Sequence, residues 1–213
     1  NKLEELGSNQ TEKSFFNSLL FDQNGNLWCG LDNGKGLAVY NIESDRFYFY
    51  LNQESNVLNN NTVRTIFQLN ENVLLLGTKG GLSCFDLRNR QYIDHKDFSQ
   101  LLSGLSGYDV RFILEKEPSI YWIGTLQSGM FIYDKLGNSL IRHFQDDGSY
   151  EMHSNNYMSC LTDKSGNVWL GTFDAGLDVC FNQAKNFNFD VSLNKLTQGK
   201  FITSITKDLK KIL

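Results

Sequence analysis

Leu161-Thr162-Asp163-Lys164-Ser165-Gly166-Asn167-Val168-Trp169-Leu170-Gly171-Thr172 carries the pattern that decides the fold, and Phe21-Asp22-Gln23-Asn24-Gly25-Asn26-Leu27-Trp28-Cys29-Gly30 is a second copy of it. Each copy runs from an apolar residue and an aspartate through a Gly-Asn turn to a tryptophan, with a glycine two residues beyond. Trp122 with Gly124 repeats the ending, and Leu75 with Gly77 fills the remaining slot, so the four positions are spaced by 47 residues. A repeat of this length is read before any single segment, because it organises the whole chain.

Each unit holds four short runs rich in aromatic and branched residues, separated by turn formers. In the first they are Leu19-Leu20-Phe21-Asp22, Leu27-Trp28-Cys29-Gly30, Gly36-Leu37-Ala38-Val39-Tyr40-Asn41 and Arg46-Phe47-Tyr48-Phe49-Tyr50. The fourth unit repeats them and ends on Phe187-Asn188-Phe189. Asn24-Gly25 and Ser165-Gly166 supply the positive φ angles of a tight hairpin. The single proline, Pro118, occupies the same turn of the third unit, where no ladder N–H is lost. A second glycine (Gly36, Gly81, Gly129, Gly176) opens each third strand, where a side chain would obstruct the connection. No unit carries an apolar stripe at helical spacing, which excludes a helical solenoid.

A four-stranded meander repeated every 40 to 50 residues is the signature of a propeller blade, since one twisted sheet buries neither face alone. The expected fold is therefore all-β: a β-propeller of four four-stranded antiparallel blades plus a partial fifth, part of a larger ring. The expected bounds are 14–54, 58–98, 105–146 and 152–191 for the four blades. Residues 1–13 read as the remnant of a preceding blade or a linker, and 196–213 as the start of a further one. A four-blade piece exposes apolar blade faces, so the isolated chain is expected to pair with a second copy or to close as a strained ring.

The remaining composition narrows the function. With 213 residues, 40% hydrophobic and 13% aromatic, the chain has ample core material. A formal charge of -4 offers no basic field for nucleic acid or an anionic membrane. The longest apolar runs, such as Val73-Leu74-Leu75-Leu76, fall far short of the roughly 20 residues of a membrane span. Asn1-Lys2-Leu3-Glu4-Glu5 lacks the basic and apolar regions of a secretory signal, so the chain reads as an excised piece whose targeting signals lie elsewhere. Cys29, Cys84, Cys160 and Cys180 have no close pairing and read as free thiols packed as small hydrophobes. No cofactor motif and no metal set is present in the pattern; His95, His143 and His153 fall at unrelated phases of the repeat.

The segments Phe21–Gly30, Leu161–Thr172, Trp122-Ile123-Gly124-Thr125 and Leu76-Gly77-Thr78-Lys79-Gly80-Gly81-Leu82 resemble the two-component-regulator propeller repeat. The resemblance covers roughly residues 14 to 213; the second unit lacks the tryptophan and the third lacks the Gly-Asn turn. It implies the periplasmic sensing region of a bacterial hybrid histidine kinase, responsive to glycan-derived ligands, with kinase activity in parts of the protein beyond this segment.

Propellers bind ligands where loops converge on the central channel. Aligning the units places Ser18, Arg64, Arg111, Met158 and Ile202 at one equivalent position, and the two arginines are candidates to grip an acidic sugar or another carboxylate. Nearby loops add Asn61, Tyr108, Asp109 and Tyr157, with the tyrosines as candidates to stack on a sugar ring. The bland alternatives are inter-blade hydrogen bonding for the arginines and turn formation for the loop residues. Trp28, Trp122 and Trp169 recur too strictly for a binding cage and are assigned to blade packing. Two other functions remain open: a propeller lyase, since the streptogramin lyases have similar repeats, and a purely structural dimerisation scaffold. The lyase reading lacks a matched histidine and acid.

Overall fold

Alternating residues in the runs around each tryptophan form strands, and the turn residues between them fold the strands into antiparallel meanders. The structure is a computed structural model that describes residues 3–7, 15–32, 34–51, 60–146, 153–182 and 200–206. The first sheet holds β1 (Leu3–Gly7), β2 (Phe16–Phe21), β3 (Leu27–Leu31), β4 (Leu37–Asn41) and β5 (Arg46–Tyr50), in the order β1-β5-β4-β3-β2. The second holds β6 (Val63–Asn70), β7 (Val73–Thr78), β8 (Gly81–Asp86) and β9 (Gln91–Ile93) in sequence order. The third follows the same order with β10 (Asp109–Glu117), β11 (Ile120–Leu126), β12 (Met130–Asp134) and β13 (Ser139–Phe144). In the fourth, β14 (Tyr157–Thr162), β15 (Val168–Thr172) and β16 (Leu177–Cys180) are described, and Phe187–Phe189 lies outside the described residues.

Strands β2, β6, β10 and β14 adjoin in succession, so the four sheets are propeller blades with their first strands innermost. Residues 3–7, read from the sequence within the remnant of a preceding blade or a linker, run antiparallel to β5 as a fifth, outermost strand of the first blade. Residues 200–206 continue the pattern past the fourth blade. Ile202 lies against Gly171 as Val63 lies against Gly30, and its N–H donates to the Thr172 carbonyl at 2.9 Å.

The core lies between blades. Trp28, Leu37, Val39 and Tyr50 of the first blade pack on Val63, Leu74, Leu76 and Phe85 of the second, with the Trp28 and Phe85 ring centroids 5.4 Å apart. Trp122, Met130 and Ile132 of the third pack in the same way on Tyr157, Val168 and Leu170 of the fourth. Leu75 replaces the tryptophan in the second blade. There the connection to the third blade carries a helix, α1 (Ser99–Gly104), and its neighbours Phe98 and Leu105 join Leu101 and Leu75 in one buried cluster.

The glycine after Trp28 and the glycine after Trp169 mark where the next inner segment crosses, whereas Gly124 makes room for Phe112 of its own blade. A β-carbon on Gly30 would lie 2.6 Å from Ser18 Oγ and 2.9 Å from Val63 Cγ1. On Gly171 it would lie 2.5 Å from Ser159 Oγ and 2.6 Å from Ile202 Cγ2. The threonine that follows closes the next turn, because the hydroxyls of Thr78, Thr125 and Thr172 donate to the carbonyls of Gly81, Gly129 and Gly176 at 3.0, 2.8 and 2.9 Å.

The aspartate of the repeat is explained by its tryptophan. Trp28 Nε1 donates to Asp22 Oδ2 at 2.8 Å, and Trp169 Nε1 donates to Asp163 Oδ2 at 2.9 Å. The indole bond, with further donors from Asn167 and Ser165, holds the Asp163 carboxyl at about 2 against an ordinary 3.8. At Asp22 burial acts to raise the value, but the Trp28 and Asn26 donors outweigh it and the carboxyl is lowered. In the third unit Lys116 stands at the aspartate position and instead donates to the Gly166 carbonyl at 2.5 Å, tying the third blade to the fourth.

Two outcomes are expected. Gly36 has φ +74°, and a β-carbon there would lie 2.7 Å from the Tyr50 carbonyl oxygen, whereas Gly25 at φ +78° has open space around it. Gly36→Ala then costs about 2–4 kcal/mol and Gly25→Ala about 1–2 kcal/mol in urea unfolding, the second reflecting backbone strain alone; equal losses would contradict the close approach. For Asp163, a folded value below the unfolded one gives stability that is present above 3.8 and lost as pH falls toward 2. The stability gap between the wild type and Asp163→Asn should therefore shrink across that interval, and a gap independent of pH would show that the indole bond does not favour the ionised carboxylate.

Candidate functional site

Every innermost strand breaks register near its start. The ladder skips one residue between Phe16 and Ser18, Val63 and Thr65, Val110 and Phe112, and Tyr157 and Ser159. The unpaired residues are Asn17, Arg64, Arg111 and Met158. A bulge of this kind re-aims a side chain without ending the strand. All four of these residues, together with Thr203, line a cavity of about 390 Å³ at the centre of the blades. The rest of its wall comes from Ser18, Thr65, Phe112, Ile113, Ser159 and Cys160.

The sequence alignment therefore needs a correction at both ends. Asn17, and not Ser18, is the bulge residue of the first blade, because Ser18 is back in the ladder opposite Gly30. Thr203, and not Ile202, faces the cavity, because Ile202 occupies the packing position against Gly171. The clue was present in the period: Asn17 stands 47 residues before Arg64.

The charged groups form a chain across three blades. Arg64 Nη1 donates to Asp32 Oδ2 at 3.3 Å, and Arg64 Nε faces Asp109 Oδ1 at 3.4 Å as an ion pair without hydrogen-bond geometry. Arg111 Nη2 donates to Asp109 Oδ2 at 2.8 Å. The side chains of Arg64, Arg111 and Asp109 are about 15% exposed, and Arg111 Nε is buried without a partner. Asp109 thus holds both guanidinium groups while standing outside the cavity wall itself.

The remaining candidates lie away from the cavity. Asn61 uses its backbone carbonyl to accept from the Gly36 N–H at 2.7 Å. Tyr108 is half-buried, with its ring 5.2 Å from that of Phe131. Tyr157, expected to stack on a sugar, is fully buried, and its hydroxyl donates to Asp178 at 3.1 Å. Burial pushes this phenol well above its ordinary value. The Asn- and Ser-rich loop before it is pinned to the fourth blade, with Ser154 and Asn156 donating to the two oxygens of Asp174 at 2.5 Å each.

Trp28 and Trp122 pack between blades, while Trp169 is half-buried and is held by its bond to Asp163. The thiols are unpaired, and burial raises Cys29 to about 11 and Cys84 and Cys160 to about 12. Among the described residues no three His, Cys, Asp or Glu side chains gather to hold a metal ion.

A four-blade propeller segment with a polar axial cavity is the class that this geometry defines. No family model matches the chain. It is 28% identical over 151 residues to a histidine kinase of Formosa agariphila, covering 68% of this chain and 11% of that protein. In fold it is similar to the extracellular domain assigned to a hybrid two-component system of B. thetaiotaomicron, with a TM-score of 0.64 and 21% identity over 88% of this chain and 22% of that one. The computationally designed protein Ika4 gives a TM-score of 0.52 at 16% identity, with 81% of this chain and 94% of that one covered. The signalling relatives are of the kind that the repeat pattern resembles. This chain spans only about a tenth of the kinase and about a fifth of the extracellular domain. Among the described residues no helix is long and apolar enough to cross a membrane.

Proposed function

We propose that this chain is a periplasmic ligand-sensing segment of a bacterial two-component sensor, and that its axial cavity receives a hydroxyl-rich, glycan-derived ligand. The observation that carries the reading is the ring of bulge residues. Each blade directs one bulge side chain at the axis, and these lie beside the hydroxyls of Thr65 and Thr203 and the ring of Phe112. Amide, guanidinium and hydroxyl groups exchange hydrogen bonds with sugar hydroxyls, and an aromatic face suits the C–H surface of a sugar ring. A volume of about 390 Å³ lies within the range of about 300–1,000 Å³ typical of small-molecule sites.

A second reading, self-association, is favoured by the outward side of the first blade. Leu19 and Phe21 are 61% and 64% exposed. Ile66, one repeat after Leu19, packs instead in the cluster that holds Trp28 of the preceding blade. Leu19 and Phe21 thus present an inter-blade surface to solvent, which a second copy could cover.

The readings separate in solution. A thermal-shift screen of the full chain against neutral and acidic oligosaccharides is expected to give a stabilising shift, lost in Arg64→Ala, Arg111→Ala and the cavity-filling Met158→Trp. No shift, or one that survives Met158→Trp, would remove the axial site. Sedimentation velocity on the same samples should show dimers that dissociate in Leu19→Glu/Phe21→Glu if the second reading holds; a monomer at all concentrations would end it.

A further inference from the structure

We propose that the cavity selects uncharged hydroxyl-rich ligands over acidic ones, and that Asp109 sets this choice. The inference rests on the reading above, that the axial cavity takes a glycan-derived ligand. Two arginines in one wall would ordinarily suggest a carboxylate clamp. The surroundings of these two argue against it.

Both guanidinium groups are already engaged. Asp32, Arg64, Asp109 and Arg111 alternate in sign and sum to zero, and Asp109 gives one carboxylate oxygen to each arginine. Its side chain is only 14% exposed, so solvent and salt screen it weakly. A carboxylate entering the cavity adds a third negative charge to a group that holds two positive ones. It can approach an arginine only against the repulsion of Asp109, whose backbone is fixed in the ladder opposite Leu126.

A hydroxyl meets no such conflict. Each guanidinium has five N–H donors, and its contacts to the aspartates leave some of them over. A hydroxyl can accept one of these bonds while it donates its own hydrogen to a neighbouring acceptor, which a carboxylate cannot do. The other polar groups of the wall, Asn17, Thr65 and Thr203 among them, carry no charge, and among the described residues no acidic or further basic side chain lines it. The arginines therefore act here as oriented donors and not as a net positive field.

The test compares sugars that differ only at C6: galactose with galacturonate, glucose with glucuronate, and the matching tetrasaccharides, titrated calorimetrically into the full chain. The wild type is expected to bind the neutral member at least about tenfold more tightly. Asp109→Asn leaves the shape and removes one negative charge, so the preference should reverse toward the acids, most strongly at low salt. A wild type that binds the acids equally or better overturns the inference and leaves the axial reading standing. Binding of neither member of any pair, with no shift in the wider oligosaccharide screen, sinks the axial reading itself and this inference with it.

Should Asp109→Asn fail to fold, the salt dependence of the wild type decides the matter. A neutral network predicts that affinity for the acids changes less than about twofold between roughly 20 and 500 mM salt. A clamp predicts a steep gain at low salt, and that result would refute the proposal.

Discussion

At three of the four repeat glycines the next segment of the ring crosses so closely that the contact leaves no room for a side chain. Gly30 meets Val63, Gly77 meets Val110, and Gly171 meets Ile202 at distances that a β-carbon would violate. This approach brings the tryptophan on one side of the glycine against the next sheet and the threonine on the other into the turn. A twisted sheet has two apolar faces and can bury neither alone. The crossing thus joins meanders that are marginal alone through buried clusters between successive blades.

Much of this is legible in the residues. The 47-residue period fixes blade number and phase because each blade places a large apolar side chain, tryptophan in three and Leu75 in one, two residues before a glycine. The aspartate of the pattern is visible, but its bond to the indole is not, since Asp22 and Trp28 are six residues apart and meet only when the hairpin forms. The bulges are invisible as well. An extra residue shifts the facing of the strand without altering its composition, which is why alignment puts Ser18 where Asn17 projects. Helix α1 escapes because its six residues offer less than two turns of periodicity; it is held by the burial of Phe98 and Leu101 and not by propensity.

The loop residues show a second limit of sequence reading. Asn, Ser and Tyr suit both sugar binding and turn formation, and only the partners discriminate between the two. Tyr157 and Ser154 spend their hydroxyls on Asp178 and Asp174 of the same blade. Arg64 and Arg111 do face the axis, yet their carboxylate partners come from loops or strand ends whose approach no periodicity announces.

The bulge residues stand outside the hydrogen-bond ladder, so their identity is free of the constraints that hold the glycines and tryptophans. Their occupants are already dissimilar: an amide, two guanidiniums and a thioether. A frame of this kind separates the inheritance of shape from the inheritance of taste. Point changes at four places can retune what the pore accepts, one blade at a time, while the architecture passes on unaltered.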